Sequence, residues 1–391
     1  MNILFYTTYR VSEQKGGTER ITARISKSLK EEGFKCFSAY KYEIDSSLPL
    51  ASWDGEFIIC DNNIENVIIE NRIDVVVIQK MTRDVKRIFD IRNKNHVNLK
   101  ILSVLHFNPG YEEISNTFSA AWVHLKTNSH NFVGMIKNMV RVLSFPIYKL
   151  YYPFRNRNLY KTVYHYSDKV VLLSNRFINE YCQYCGIKDA SKFSVIPNAL
   201  SYDEFLPVEK IKEKQKQVIV VSRLEETQKR ISRVIKVWKQ IESNKIFNDW
   251  TLKIIGDGHD KKKYMKLAED LNLKRVIFCN RQQPKPFYEK SLIFLMTSAY
   301  EGWGLTLTEA QQFGCVPIAI GSFSSVYDII SNGKDGIIVN SNNINTYAKK
   351  LENLMADEKK LLEMAYQAIL SSHRYDINII AKLWIDLIQS N

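Results

Sequence analysis

"SAYEGWGLTLTEAQQFGCVPIA", residues 298–319, sets Glu301 and Glu309 on either side of a Gly-Trp-Gly turn, between two apolar runs. The run that leads into it, "LIFLMT", predicts a buried strand. Ser298 to Gly304 predicts a loop, and "LTLTEAQQF" predicts a helix closed by Gly314. At the start of such a helix Gly304, Leu305 and Thr306 offer backbone N–H groups to an anion, where the helix dipole favours negative charge. Glu309 also completes a T-x-x-E capping box with Thr306, an account that leaves Glu301 and its neighbour Gly302 unexplained. Two carboxylates flanking a phosphate are electrostatically costly unless they accept hydrogen bonds from hydroxyls. A sugar on one side and a ribose on the other meet that condition, so the stretch reads as a nucleotide-sugar site.

The same strand–loop–helix rhythm runs through the chain. Strands are predicted at "NILFY", "FKCFSA", "DVVVI", "KILSVL" and "DKVVLL", then at "VIVVS", "TLKII", "VIFCN", "LIFLMT", "VPIAI" and "DGIIV". Uniformly apolar strands separated by helices imply parallel sheets covered on both faces, and 391 residues exceed one ordinary core. The expected architecture is α/β, with two doubly wound Rossmann-like domains facing across a cleft. The expected boundaries are 1–200 and 201–370, with the charged tract 207–217 as a linker. A last helix, 371–391, presents Ile380, Leu383, Trp384 and Leu387 at helical spacing and needs a surface to cover, which crossing back to the first domain would supply.

Composition narrows the class. The chain is 45% hydrophobic and 25% charged, with no apolar run long enough for a transmembrane helix. Its first residues lack the pattern of a secretory signal, and six cysteines form no disulfide framework, so a cytoplasmic protein is expected. The net charge of +13 is concentrated: residues 121–169 hold eight Lys or Arg and one acid, interleaved with aromatics. Such a surface suits anionic lipid headgroups, and the alternative is an amphipathic core helix over 132–143 with a solvated basic face. Nucleic acid is set aside, because no helix-turn-helix, zinc-finger or RNA-binding aromatic signature is present. Cys182 and Cys185 form one C-x2-C without a second pair, and no Asp-x-Asp or His–acid cluster has metal-ligand spacing. No metal and no cofactor are expected.

Two further loops carry phosphate chemistry. "YRVSEQKGGTERI" opens the first helix with Gly16 and Gly17, which let a ligand approach backbone N–H groups; a flexible turn capped by Thr18 explains them equally. "VSRLEETQKRISRVI" brackets a loop with Arg223 and Lys229, a fork and a point charge suited to a diphosphate, unless Glu225 and Glu226 simply pair with them.

Together these motifs resemble the retaining glycosyltransferases of family 4, which adopt the GT-B fold. "EGWGLTLTEAQQFG" is similar to the family's E-x7-E segment, "VSRLEETQKR" to its Arg…Lys segment, and "VIPNAL" to its Pro-Asn segment with Asn198. "LKIIGDGHD" is similar to its Gly-x-Gly strand end at Gly256, and "NGKDGIIV" to a later Gly-rich turn. The likeness runs from about Val195 to Val339, with "GGTER" and "SVLHFNP" carrying it in the first half. It implies that Arg223 and Lys229 neutralise a donor diphosphate, aided by the 304–306 amides and Gly17. It further implies that Glu301 holds the donor sugar, Glu309 the ribose, and that His106 lies near the reacting sugar. The implied reaction moves a hexose or N-acetylhexosamine, with retention, from a UDP-sugar to a lipid-linked or lipopolysaccharide or capsule acceptor at the inner face of the plasma membrane. A GT-B nucleotide-sugar epimerase and a transferase with a soluble acceptor are the alternatives. Two segments depart from the family: "FCNRQQ" lacks the usual Gly after its strand, and "GSFSSVYDII" replaces a Gly-Gly turn.

Overall fold

Short apolar runs that can satisfy their backbone only by pairing side by side produce parallel sheets once helices cover both faces. The computed structural model describes residues 1–13, 16–44, 48–60, 63–115 and 145–390. Two units emerge: Met1–Ala199 joined by the segment from Ile377 onward, and Leu200–Asp376. The first contains β1 (Asn2–Tyr9), β2 (Lys35–Tyr42), β3 (Gly55–Ile58), β4 (Val75–Ile78), β5 (Lys100–Leu105), β6 (Lys169–Leu172) and β7 (Phe193–Val195). They pair in the order β3-β2-β1-β4-β5-β6-β7. The second contains β8 (Gln215–Val221), β9 (Thr251–Ile255), β10 (Val276–Phe278), β11 (Ser291–Met296), β12 (Val316–Ile320) and β13 (Ile337–Val339), in the order β10-β9-β8-β11-β12-β13. Every pairing is parallel.

β4 and β11 are buried at every residue, as expected of strands covered on both faces. Covering helices follow helical spacing: Ile231–Ser243 buries Ile231, Val234, Ile235, Trp238 and Ile241. Each such side chain contributes about 1.5–3 kcal/mol by leaving water. In both sheets the strand order reverses beside the first strand, at β1/β4 and at β8/β11. There the outgoing loops part to opposite faces and leave a crevice at the carboxyl edge.

The helix Ile377–Gln389 belongs to the first unit and packs on Gly17–Glu31. It buries Ile380, Trp384, Leu387 and Ile388, while Leu383 stays exposed. Lys100 Nζ fixes its end by donating to the Leu387 carbonyl at 2.6 Å.

The tract 207–217 is not a linker. Ile211 is buried, the Lys214 ammonium donates to the Tyr288 and Ser291 carbonyls at 2.6 and 2.8 Å, and β8 begins at Gln215. The Lys214 side chain is thereby tied into the second unit, although its charge lowered the tract's apparent hydrophobicity. β3, a short strand with no uniform apolar run, was not expected. The helical stripe expected over 132–143 falls outside the described residues, as does all of the basic aromatic stretch before Phe145, and the later part of that stretch forms the helix Phe145–Tyr166. Among the described residues no helix is long and apolar enough to cross a membrane.

Candidate active site

The reversal point of the second sheet gathers the residues the sequence singled out. β8 ends at Val221 and runs into Ser222–Leu224; β11 ends at Met296 and runs into the loop that carries Glu301. Lys229, Thr297, Ser298 and Thr306 line one small recess between these strand ends. Lys229 Nζ donates to Glu301 Oε1 at 2.5 Å, with both side chains largely buried. Arg223 is more exposed, its guanidinium donating to Gln228 Oε1 at 2.8 Å and lying 3.5 Å from Glu225.

Glycine geometry holds these loops at their spacing. Gly256, at φ +147, leaves no room for a Cβ, which would fall 1.8 Å from the Ser222 carbonyl oxygen. The loop after β9 thereby lies directly on the loop that presents Arg223, and Leu224 N–H donates to the Asp257 carbonyl at 2.9 Å. Gly304 is the N-cap of the helix Leu305–Gln312 at φ +89, a left-handed turn that favours glycine, and Thr306 just after it lines the recess. Trp303 is buried edge-on to Tyr375 with centroids 5.1 Å apart, which pins the loop carrying Glu301 and Gly302.

The capping box is absent. Gly304 rather than Thr306 caps the helix, and no side chain closes the cap. Glu309, 1% exposed, instead accepts from Ser201 Oγ at 2.6 Å and from the Tyr288 hydroxyl at 2.9 Å. The two glutamates therefore differ in setting: Glu301 is held by a cation at the recess, and Glu309 by two internal hydroxyls.

The remaining expected residues lie in the first unit. Gly16 is the N-cap of Gly17–Glu31 in extended conformation, so Thr18 lies inside the helix. His106 follows β5, its Nε2 2.5 Å from Gln79 Oε1, and burial pushes its imidazole down to about 4, keeping it neutral at pH 7. Asn198 is buried near the end of this unit. Cys182 and Cys185 are free thiols on one helix. Among the described residues no three His, Cys, Asp or Glu side chains gather as a metal-holding group.

Residues 201–370 match the family model described as glycosyl transferases group 1, which covers nearly all of the second unit. Over those residues the chain is similar to glycosyl transferases group 1.

The chain is 24% identical over 383 residues to an uncharacterized glycosyltransferase of Haemophilus influenzae, covering 94% of the chain and 95% of that protein. It is 27% identical over 237 residues to the amylovoran biosynthesis glycosyltransferase AmsD of Erwinia amylovora, across 59% of the chain and 65% of AmsD. The solved structure of Anabaena HepE in complex with UDP superposes with a TM-score of 0.73 at 16% identity over both full chains, which establishes the GT-B fold. These likenesses support hexosyltransferase activity.

Several residues at the glycosyltransferase's site carried no signal in the sequence. Gln228, 4% exposed, holds Arg223 through its carbonyl and donates to the Tyr300 carbonyl at 3.2 Å, tying both loops together. Thr297 donates to the Lys229 and Arg230 carbonyls at 3.0 and 3.1 Å. Ser322 and Ser325 donate to the Ser298 and Gly302 carbonyls at 2.5 and 2.9 Å, so the unusual serine loop braces the loop of Glu301.

Proposed function

We propose that the glycosyltransferase moves a hexose or N-acetylhexosamine from a UDP-sugar, with retention of configuration and without a metal ion, to a lipid-linked, lipopolysaccharide or capsule acceptor. The observation that carries the donor half is the Lys229–Glu301 pair at the recess beside Thr306 and the helix start. A diphosphate entering there draws Lys229 away from Glu301, and the freed carboxylate accepts from donor-sugar hydroxyls. As the sugar departs, negative charge grows on the β-phosphate. On this account Arg223, Lys229 and the Leu305 and Thr306 amides stabilise that charge, and such groups contribute about 3–4 kcal/mol each in other enzymes. In this reading the leaving phosphate takes the acceptor proton, Glu301 positions the donor, and neutral His106 hydrogen-bonds a reacting hydroxyl. Glu309 reaches a ribose by exchanging Ser201 for it.

UDP as the nucleotide is supported by the UDP complex of HepE, and a polysaccharide acceptor by the role in AmsD's name. A membrane-facing acceptor is supported by the helix Phe145–Tyr166. It exposes Leu150, Tyr151 and Phe154 beside exposed Lys149, Arg155 and Arg157, apolar and basic groups that together suit an anionic lipid surface. The protein is then peripheral at the cytoplasmic face of the membrane. Sedimentation with anionic vesicles tests this: binding should weaken with salt and with Leu150→Ser plus Phe154→Ser. Indifference to both removes the membrane from the proposal.

Thermal unfolding with UDP, GDP, ADP or NAD tests the donor site. UDP at 100 times its dissociation constant should add about 2.7 kcal/mol of stability, and Lys229→Met should remove most of it. Stabilisation by NAD alone, or by none, sinks the reading. Incubation with UDP-sugar and no acceptor separates the epimerase, which would change the donor, and chelation of divalent ions should leave the transfer rate unchanged.

A further inference from the structure

The first sheet has its own reversal point, at β1/β4, and a cavity of about 230 Å³ opens at the carboxyl edge beside it. Tyr6 of β1, Lys41 of β2, Cys60 after β3, and Asp84 and Arg87 of the helix Asp84–Lys94 line it. One carboxylate serves most of the donors. Asp84 Oδ2 accepts from the Tyr6 hydroxyl at 2.8 Å, from Thr82 Oγ1 at 2.8 Å and from Lys41 Nζ at 2.9 Å. That leaves two cations over. Lys80 is half-buried, its Nζ 5.1 Å from the centre of the Tyr6 ring, and among the described residues it has no hydrogen-bonded or ion-paired partner. Arg87, also half-buried, likewise has none. The nearest acid along the helix edge, Glu65, is already taken by Lys94 at 2.8 Å and by Asn95 at 2.8 Å.

A half-buried ammonium without a counter-charge is costly. Burial and the neighbouring Lys41 lower the Lys80 ammonium below its ordinary range, and Asp84, already shared by three donors, offsets this only in part. The cost is relieved when an anion enters. A single carboxylate would leave one positive charge over, whereas a phosphoryl dianion balances Lys80 and Arg87 together. The guanidinium of Arg87 also suits its paired oxygens.

We propose that this cavity is a phosphoryl-binding site that holds a phosphate or diphosphate group of the acceptor, apart from the donor diphosphate at the second sheet. The acceptor assignment rests on the transferase reading; the anion site itself does not. Lys41, tied to Asp84, orients the pocket, while Lys80 and Arg87 contact the phosphoryl oxygens.

The test uses the full chain and inorganic pyrophosphate, titrated calorimetrically with and without saturating UDP. Labelling of Cys60 by N-ethylmaleimide, read by peptide mass, reports locally, since Cys60 is exposed at the cavity mouth. Pyrophosphate should bind in the presence of UDP and slow Cys60 labelling. Lys80→Met with Arg87→Met should weaken pyrophosphate at least 10-fold while leaving UDP stabilisation and the melting temperature unchanged. Lys80→Arg should retain binding, which separates lost charge from a damaged fold. Pyrophosphate that competes with UDP, labelling slowed equally by UDP, or equal binding of glucuronate would each overturn the proposal. Glycerol phosphate and a short-chain prenyl diphosphate then distinguish a phosphopolyol from a lipid-linked source, and failure of both overturns the acceptor assignment. Failure of the donor reading shows separately, as loss of the UDP effect with pyrophosphate binding intact.

Discussion

The carboxyl edges of the two sheets are built alike and charged differently. In the second unit the two cations at the recess have partners: Lys229 has Glu301, and Arg223 has Gln228 and Glu225. In the cavity of the first unit one carboxylate, Asp84, is shared by three donors, and among the described residues Lys80 and Arg87 have no hydrogen-bonded or ion-paired partner. A paired cation is rigid before its ligand arrives and must be traded away from an internal partner. An unpaired cation is an attraction already in place. The same topology thus yields one site organised for exchange and one organised for capture.

The largest expected effect would show whether backbone spacing supports the paired site. Gly256→Ala forces a Cβ onto the Ser222 carbonyl at a left-handed φ and should cost about 4 kcal/mol in urea unfolding, with UDP binding lost alongside. A mild effect would mean that the loops after β8 and β9 are not held by this approach. Next, Lys229→Met should lower kcat/KM at least 100-fold, about 3 kcal/mol. It should also destabilise the fold by leaving Glu301 buried without a partner. Glu301→Gln should share the kinetic loss with less unfolding.

The third expected effect belongs to the first unit. His106 is held neutral, so its contribution to stability is fully present above pH 6.5 and is lost as pH falls through 6.5 toward about 4. Urea unfolding at pH 7 and pH 4.5 should differ by roughly 2 kcal/mol through this ring, less than full burial would give because water still reaches part of it. His106→Gln should flatten that difference. The smallest effect is at Gln228, where Ala should lower kcat/KM about 10-fold by releasing Arg223, with KM for the donor rising more than kcat falls. An unchanged KM would show that Arg223 is positioned without it.

Much of this was legible because burial on both faces writes itself as uninterrupted apolar strands, and all six strands of the second sheet were read in this way. What remained hidden depends on partners distant in sequence. Glu309 satisfied a local capping pattern, yet its carboxylate belongs to Ser201 and Tyr288, and no spacing rule connects 201, 288 and 309. The missing Gly in "FCNRQQ" has a physical substitute: Asn280 adopts φ +56, a left-handed conformation Asn tolerates, and its carbonyl accepts from Gly256 N–H at 2.8 Å. The lysine-rich tract before β8 misled because charge at a side-chain tip conceals where its stem lies. Arg223, Lys229 and Glu301, the proposed donor residues, stand out by chemistry, since loops at strand ends expose unusual residue combinations. The cations of the first unit were passed over because nothing in "VIQKMTRDVKR" shows that Asp84 is already spoken for.

The chain leaves the first unit after Ala199 and returns to it at Ile377, and Leu200 N–H donates to the Tyr375 carbonyl at 2.8 Å, closing the second unit's entry against its exit. The second unit is therefore an insertion with adjoining ends, complete in itself before the helix Ile377–Gln389 is synthesised. On the ribosome it can finish folding while the first unit still lacks the strip that covers Gly17–Glu31. A segment made after the second unit completes the half made before it.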